Sequence, residues 1–296
     1  MAAILALVAT IGSAAPPPGT PAEVTLRSAS PDRLRIVVVG DTGTGAGKVA
    51  AGIAKIHRAA PVDAIILTGD NFYPCGVTSE TDPRWRLALP LTKIGPPVLP
   101  VLGNHDVDCG KADPMAQIRA TGRIPGWQFP ARQYVVRSGL ATFAMLDTTP
   151  FVRARNQDAE TFLRTALTGA TTPWRIVAGH HPIISSGFHG YFPRDEVRLM
   201  RPMADVMKSV GAELYLCGHD HHLELIRGKV LYLVSGAGSD PIPPIRLRQR
   251  TIFPSEIGRE RLGFAVVELT REKVRVRFHD GDGRPRAGWI ELGHRR

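Results

Sequence analysis

Short apolar runs rich in β-branched residues alternate along the chain with segments whose apolar residues recur at helical spacing. RIVVVG, from Arg35, and VDAIILTGD, from Val62, are almost continuously apolar, which is typical of strands covered on both faces. Between such runs, the stretches from about Lys48 to Ala59 and from about Gln157 to Leu167 have a helical period. Strands alternating with helices predict an α/β fold with a mostly parallel sheet.

The same criteria predict the remaining elements. They are a helix near Asp82 to Ile94, a strand in PPVLPVLGNHD, a hairpin around Ser138 and Gly139, a strand in WRIVAGHH, a helix near Asp195 to Val210, and strands in AELYLCGHDHH, LELIRG, KVLYLVSGAG, FAVVELT and KVRVRFHD. The closing hairpins predict an antiparallel extension of the sheet. We expect residues 34–296 to form a single domain, in which residues 240–260 are a long basic loop. This loop is either a solvated connection or a flap that faces the substrate.

The N-terminal stretch has the features of an export signal. Residues Ala2 to Ile11 are apolar and uncharged but too few to span a bilayer, and the small residues Ser13 and Ala15 have the spacing that signal peptidase accepts. We predict a signal peptide over residues 1–15 and a Pro-rich linker over residues 16–33. The mature protein is then expected to be soluble, periplasmic or secreted, and without a membrane partner.

The charge balance favours anionic partners but does not indicate a nucleic-acid binder. Lys and Arg number 37 against 27 Asp and Glu, which gives a net charge of +10. Such a charge attracts phosphorylated molecules at long range, although it is equally explained by arginines spread over the surface. Because these residues are dispersed and lack interleaved aromatic residues, no nucleic-acid partner is expected.

Five short motifs, each after a predicted buried strand, carry the candidate chemistry. They are VVVGDTG with Asp41, LTGDNFY with Asp70 and Tyr73, VLGNHD with Asn104, His105 and Asp106, VAGHHP with His180, and LCGHDHH with His219 and His221. Ligands of open α/β sheets bind outside the carboxyl ends of the strands, so these side chains are expected to meet in one cluster. Carboxylate, imidazole, amide and phenolate donors suit iron, manganese or zinc. The seven candidate ligands are too many for one ion and about right for two, with Asp70 placed to bridge them. Two ions roughly 3.5–4 Å apart suit an in-line displacement at phosphorus.

The motif series resembles the calcineurin-like metallophosphoesterases over about Arg35 to Gly238, and within them the small purple acid phosphatases, a type that includes tartrate-resistant acid phosphatase. Many relatives have Asp-x-His in the first motif, whereas this chain has Asp41, Thr42 and Gly43. The purple enzymes also lack that histidine and have a tyrosine in the second motif, at the position of Tyr73. The resemblance implies two mixed β-sheets packed as a sandwich with flanking helices.

The resemblance also implies a ligand set and cofactors. Fe3+ would be held by Asp41, Asp70, Tyr73 and His221, and a divalent ion (Fe2+, Zn2+ or Mn2+) by Asp70, Asn104, His180 and His219. The chain departs from the family where Thr42 replaces a Trp and where His181 replaces a Tyr. Neither position is a ligand, so these departures concern the shape of the pocket and the choice of substrate.

The activity implied is that of an acid phosphatase, in which a metal-bound hydroxide attacks a phosphate monoester of a small molecule. His105 and His189 are the candidate proton donors to the leaving group, and Asp106 is expected to orient His105 and stabilise its charge. A loop histidine without a role is the alternative for His189. The alternatives for the whole protein are a phosphodiesterase or nucleotide hydrolase of the same superfamily, and a metal- or phosphate-binding protein without catalysis.

Several other signals are given structural interpretations. Cys75 and Cys109 follow two of the motifs on loops that should converge, so we predict that they form a disulfide and that Cys217 is a buried free thiol. His57, His181 and His222 are expected at the surface or behind the ligands, and Trp127 is expected to pack in the core or at the rim. GDTGTGAGKV fails the phosphate-loop pattern because Thr42 occupies the first Gly position and Val49 replaces Ser or Thr.

Overall fold

A computed structural model of the protein describes residues 10–11, 20–108, 110–154, 157–192, 195–253 and 261–294. Its strands form two mixed sheets, one of nine strands and one of six. Apolar residues of both sheets form one shared core. The expected sandwich of two mixed sheets with flanking helices is therefore confirmed.

The larger sheet has the strand order β1-β2-β6-β7-β8-β9-β11-β10-β12. Its strands are β1 (Thr10–Ile11), β2 (Ala22–Thr25), β6 (Tyr134–Arg137), β7 (Ala141–Met145), β8 (Trp174–Ala178), β9 (Leu214–Cys217), β10 (Leu223–Arg227), β11 (Leu231–Ser235) and β12 (Thr251–Phe253). The central strands β7, β8, β9 and β11 run parallel to one another, so their carboxyl ends lie at one edge.

The smaller sheet has the order β15-β14-β13-β3-β4-β5. Its strands are β3 (Leu34–Val39), β4 (Ala64–Leu67), β5 (Val98–Pro100), β13 (Gly263–Leu269), β14 (Lys273–Asp280) and β15 (Ile290–Gly293). Strands β3, β4 and β5 are parallel, while β13, β14 and β15 add the expected antiparallel extension.

Alternate residues of a central strand lie on opposite faces of the sheet, in two different apolar cores. In β9, Leu214 and Leu216 lie in the core between the sheets, whereas Tyr215 and Cys217 lie in a second core on the other face. This second core includes residues of the helices outside the larger sheet, such as Leu163 and Met207. Because both faces of β9 are covered, the strand is continuously apolar.

The helices lie between the strands. Those predicted from the sequence are present, and four short helices of four to six residues were not predicted. The helices are α1 (Gly47–Ala59), α2 (Trp85–Thr92), α3 (Asn104–Val107), α4 (Pro114–Arg119), α5 (Thr149–Ala154), α6 (Gln157–Leu167), α7 (Phe188–Tyr191), α8 (Asp195–Met200) and α9 (Met203–Ser209). The helix predicted over Asp195 to Val210 is two helices, because Pro202 between them has no N–H to continue the first.

Four short strands, β1, β2, β12 and β15, were missed by the sequence analysis. Residues Ala22–Thr25 lie inside the predicted linker, yet they pair in parallel with β6 and bury Val24 completely. This segment is therefore part of the folded domain, a correction to the linker assignment. Its four residues are too few to show a period, and they are stabilised by this pairing and by the burial of Val24. Strand β12 lies in the predicted basic loop, of which residues 254–260 are outside the described residues.

The predicted signal peptide over residues 1–15 lies outside the described residues except for Thr10–Ile11. In the described part of the chain, no helix is both long enough and apolar enough to cross a membrane.

Candidate metal centre

The five motifs lie together where parallel strands of the two sheets end. Asp41 follows β3 and Asp70 follows β4, and the backbone N–H of Asp41 donates to the carbonyl of Gly69 at 3.0 Å. In the other sheet, Gly218 after β9 donates to His180 after β8 at 3.1 Å. All seven candidate ligands are part of this one cluster.

The backbone is strained at three of these positions. Asp41, Asp70 and His219 have φ values of 57°, 53° and 68°, and they are the described non-glycine residues with positive φ. Such conformations each cost about 1–3 kcal/mol and recur at functional sites, where the surrounding structure enforces them. Close packing also requires Gly103, since a Cβ there would lie 2.1 Å from Asp70 Oδ1.

The first group of candidate ligands surrounds the Tyr73 hydroxyl. Tyr73 Oη lies 3.1 Å from Asp41 Oδ1, 3.0 Å from Asp70 Oδ2 and 3.1 Å from His221 Nε2. His221 Nδ1 donates to the carbonyl of Asp240 at 2.7 Å, which directs Nε2 into the cluster. The group comprises the four residues expected to hold Fe3+.

The second group surrounds His180 Nε2. This atom lies 3.0 Å from Asn104 Oδ1, 3.1 Å from His219 Nδ1 and 3.5 Å from Asp70 Oδ1. His180 Nδ1 donates to the carbonyl of Thr68 at 2.8 Å, so the ring presents Nε2 to the cluster. Asp70 faces the first group with Oδ2 and the second with Oδ1, as expected of a bridging carboxylate.

These distances fit metal binding. Donor atoms about 2.1 Å from a shared ion lie roughly 3.0–3.4 Å apart in octahedral or tetrahedral geometry. Both groups have this spacing within 0.1 Å. In each, a backbone carbonyl fixes one histidine by its Nδ1–H, the support typical of metal-binding imidazoles.

The electrostatics of both ligand groups also favour bound cations. Burial raises the pKa of Tyr73, and the charges of Asp41 and Asp70 raise it further, so the phenol ionises only if a cation compensates. Burial would lower the pKa of His180, but Asp70 raises it to about 10. The same buried carboxylate charge that retains this proton would attract a metal ion in its place.

Asp106 does not perform its predicted role. Its buried carboxylate accepts hydrogen bonds from the backbone N–H groups of Asn71 and Gly103 and from Gln117 Nε2, at 2.9–3.0 Å. His105 instead donates through Nδ1 to the carbonyl of Pro74 at 2.8 Å. Asp106 therefore fixes the loops that carry the candidate ligands, and a backbone carbonyl orients His105. Adjacency in the sequence suggested the pairing, but Asp106 is directed into the core while the side chain of His105 is partly exposed.

His189 lies beside the second group. Its ring centroid is 3.9 Å from that of His219. The segment is held by Asp220, which accepts from the backbone N–H groups of His189 and Gly190 at 3.0 and 3.2 Å. Sequence analysis missed Asp220, although its position between two candidate ligands was a signal.

Two other histidines have buried roles. His181 is 1% exposed, lies within hydrogen-bond distance of Thr148 Oγ1 at 2.7 Å, and belongs to a group with His180 and His219 that could hold an ion. His222 lies 3.1 Å from the buried carboxylate of Glu224. Of these two histidines, His181 is therefore the one close enough to influence the ligands.

Trp127 and the cysteines lie outside the two ligand groups. Trp127 is 1% exposed and donates to the carbonyl of Gln117 at 2.9 Å, so it packs in the core. Cys217 is a buried free thiol. Cys75 is disulfide-bonded, but Cys109 lies outside the described residues, so their pairing stays a prediction.

Comparison with known proteins agrees with this fold. Residues 34–223 match the family model of the calcineurin-like phosphoesterases, and the chain belongs to this family. It is 29% identical over 293 residues to purple acid phosphatase 17 of Arabidopsis thaliana, covering 87% of this chain and 84% of that protein. It is 30% identical over 298 residues to tartrate-resistant acid phosphatase type 5 of Rattus norvegicus, covering 85% and 88% respectively.

Solved structures share the fold at lower identity. GAP50, described as the anchor in the inner membrane complex of Plasmodium, has a TM-score of 0.73 and 22% identity over 90% of each chain. Purple acid phosphatase PPD1 from yellow lupin (Lupinus luteus) seeds has a TM-score of 0.67 and 14% identity over 90% of this chain and 55% of that one.

Proposed function

We propose that the protein is a dinuclear metal-dependent acid phosphatase that hydrolyses phosphate monoesters of small molecules. The observation that carries the proposal is the position of Tyr73 Oη, within 3.1 Å of Asp41, Asp70 and His221. A tyrosine packed only for its ring would not need three ionisable partners. The first group would hold Fe3+ and the second Fe2+, Zn2+ or Mn2+, with Asp70 shared.

The chain's own residues would place the substrate and move its protons. Two metal ions, when bound, would neutralise the phosphate charge and lower the pKa of water to supply the nucleophile. His105 and His189 flank the two groups, since the His105 ring is 4.6 Å from that of Tyr73 and the His189 ring is 3.9 Å from that of His219. Because His105 Nδ1 is engaged with Pro74, Nε2 is the atom that would exchange a proton with the ester oxygen.

The setting of the proposed enzyme follows from its charge and its N-terminus. A net charge of +10 would increase the encounter rate with phosphorylated molecules. We propose export to the periplasm or the medium, as the apolar N-terminal run predicts.

The first test is the visible spectrum of the iron-loaded protein beside its Tyr73→Phe variant, with Tyr191→Phe as the matched control. We expect a broad visible band in the wild type and the control and none in Tyr73→Phe, because only a ferric phenolate absorbs there. A colourless wild type with ferric iron confirmed by metal analysis would contradict the phenolate assignment.

The second test separates monoesterase from diesterase activity. We expect hydrolysis of an aryl phosphate to exceed that of the corresponding bis-aryl diester, with a rate maximum at acidic pH. Faster hydrolysis of the diester would favour the phosphodiesterase alternative. Two bound metals with no hydrolysis of either ester would favour a binding protein.

A further inference from the structure

An exposed apolar surface borders the metal cluster. Seven large hydrophobic side chains of the described residues are exposed, and one of them, Met115, lies apart in sequence. The other six, here called the rim patch, are Phe188, Tyr191, Phe192, Ile242, Ile245 and Leu247. Such clustering on a soluble domain marks an interaction site, whereas single exposed apolar residues are ordinary.

The two segments of the rim patch lie side by side. In the first, the ring centroids of Phe188 and Phe192 are 5.3 Å apart, and those of Tyr191 and Phe192 are 4.9 Å apart. The second segment joins the first where the N–H of Ile245 donates to the carbonyl of Ser186 at 3.0 Å. The patch also adjoins the candidate ligands, because Ile242 donates its N–H to the carbonyl of His221 at 2.8 Å.

Positive charge borders this apolar surface on the side of its second segment. Arg246, Arg248 and Arg250 are exposed within and beside the second segment. A cavity of about 660 Å³ lies next to it, with Arg248 donating to the carbonyl of Gly190 in its wall. Its charged lining residues are Arg198, Arg201, Lys229, Arg248, Arg250 and one acid, Asp205.

We propose that this face docks on the surface of an anionic lipid bilayer. Exposed aromatic and aliphatic side chains insert at the boundary of head groups and acyl chains, and arginines near them bind lipid phosphates. The basic cavity provides a place for one such phosphate beside the inserted rings. A second copy of this chain fits less well, because two faces rich in arginine repel each other. The proposal departs from the expectation of no membrane partner and does not depend on the proposed phosphatase activity.

The test is co-sedimentation of the full chain with vesicles of phosphatidylcholine, with or without phosphatidylglycerol. We expect binding that requires the anionic lipid and weakens with added salt. The double variant Phe192→Ser, Leu247→Ser should bind at least about tenfold more weakly, because these two apolar side chains no longer insert into the bilayer. The double variant Arg198→Gln, Arg201→Gln should bind anionic vesicles at least about tenfold more weakly. Met115→Ser should leave vesicle binding unchanged.

Each contrary outcome overturns the proposal. The first two are an absence of binding to anionic vesicles and equal binding to neutral vesicles. The third is equal binding by all variants, because the N-terminal segment that they share would then account for it. If light scattering shows a dimer that Leu247→Ser abolishes, the patch is an interface between copies. If the variants change kcat/KM for soluble esters but not vesicle binding, the patch contacts substrate. Thermal unfolding confirms that each variant is folded. Binding is measured without substrate, so its failure leaves the phosphatase proposal standing.

Discussion

Replacing Asp220 by asparagine tests whether the loop between two candidate ligands positions His189. The carboxylate is 3% exposed and accepts from the N–H groups of His189 and Gly190 at 3.0 and 3.2 Å. Asparagine has nearly the same shape but one acceptor oxygen. One N–H would then face an amide NH2 and lose its partner.

The expected magnitude follows from that one lost bond. A hydrogen bond to a charged group contributes about 1.5–3 kcal/mol. For a domain of this size the corresponding fall in Tm is roughly 3–5 °C. If the same free energy is lost in aligning His189 with the leaving group, kcat falls about 10–150-fold for an ester whose alcohol must be protonated.

The assay compares an alkyl phosphate with p-nitrophenyl phosphate, whose leaving group departs as a stable anion. We expect Asp220→Asn to lower kcat for the alkyl ester by that factor and to change kcat little for the aryl ester. Asp205→Asn is the matched control, because that carboxylate is exposed and pairs with Lys229 away from the ligands. It should change neither rate.

An equal fall for both esters would show that Asp220 serves only the metal cluster or the fold. Unchanged rates for both, together with a lowered Tm, would show that the position of His189 does not matter for the reaction. In either case Asp220 would lose its assignment as the residue that positions His189 for proton donation.

Three further predictions concern packing, pH and the disulfide. Gly103→Ala places a Cβ 2.1 Å from Asp70 Oδ1, so we expect less bound metal by elemental analysis and about 100-fold lower activity. Burial would raise the pKa of Glu224, but its hydrogen bonds and the charge of His222 lower the pKa below the ordinary value of 4.5. The ionised carboxylate therefore adds stability above pH 4.5, and this stability is lost as the pH falls through the lowered pKa. Glu224→Gln should therefore destabilise the protein by about 2 kcal/mol at neutral pH and progressively less at lower pH, measured by urea unfolding. Peptide mapping of the unreduced protein should recover Cys75 and Cys109 in one linked pair.

Gly139→Ala adds a Cβ with nothing within 4 Å and should bind metal normally, and normal metal binding by Gly103→Ala would refute the packing argument. A destabilisation by Glu224→Gln that stays constant or grows on acidification would show that the carboxylate is not held ionised. Alkylation of both Cys75 and Cys109 in the unreduced protein would exclude their bond.

The sequence by itself predicted the elements that depend on local pattern. Continuous β-branched runs indicated buried strands, and the helices at Gly47–Ala59 and Gln157–Leu167 lie within one residue of their predicted bounds. The convergence of Asp41 and Asp70 was also predictable, since both follow parallel strands of one sheet and their side chains lie at the same edge. His180 follows a strand of the other sheet, so its position beside them depends on how the two sheets pack.

What only the tertiary structure decided depends on contacts between distant segments. Residues 22–25 became a strand through pairing with β6, more than a hundred positions along the chain, and the four residues alone have no period that predicts it. Asp106 was placed beside His105 by the chain, but burial directed its carboxylate to Gln117. The rim patch combines two segments about fifty residues apart, and neither segment alone is apolar enough to predict an exposed apolar surface. Local patterns determine which segments form helices or strands. The partners of a side chain depend on tertiary packing, which local patterns do not reveal.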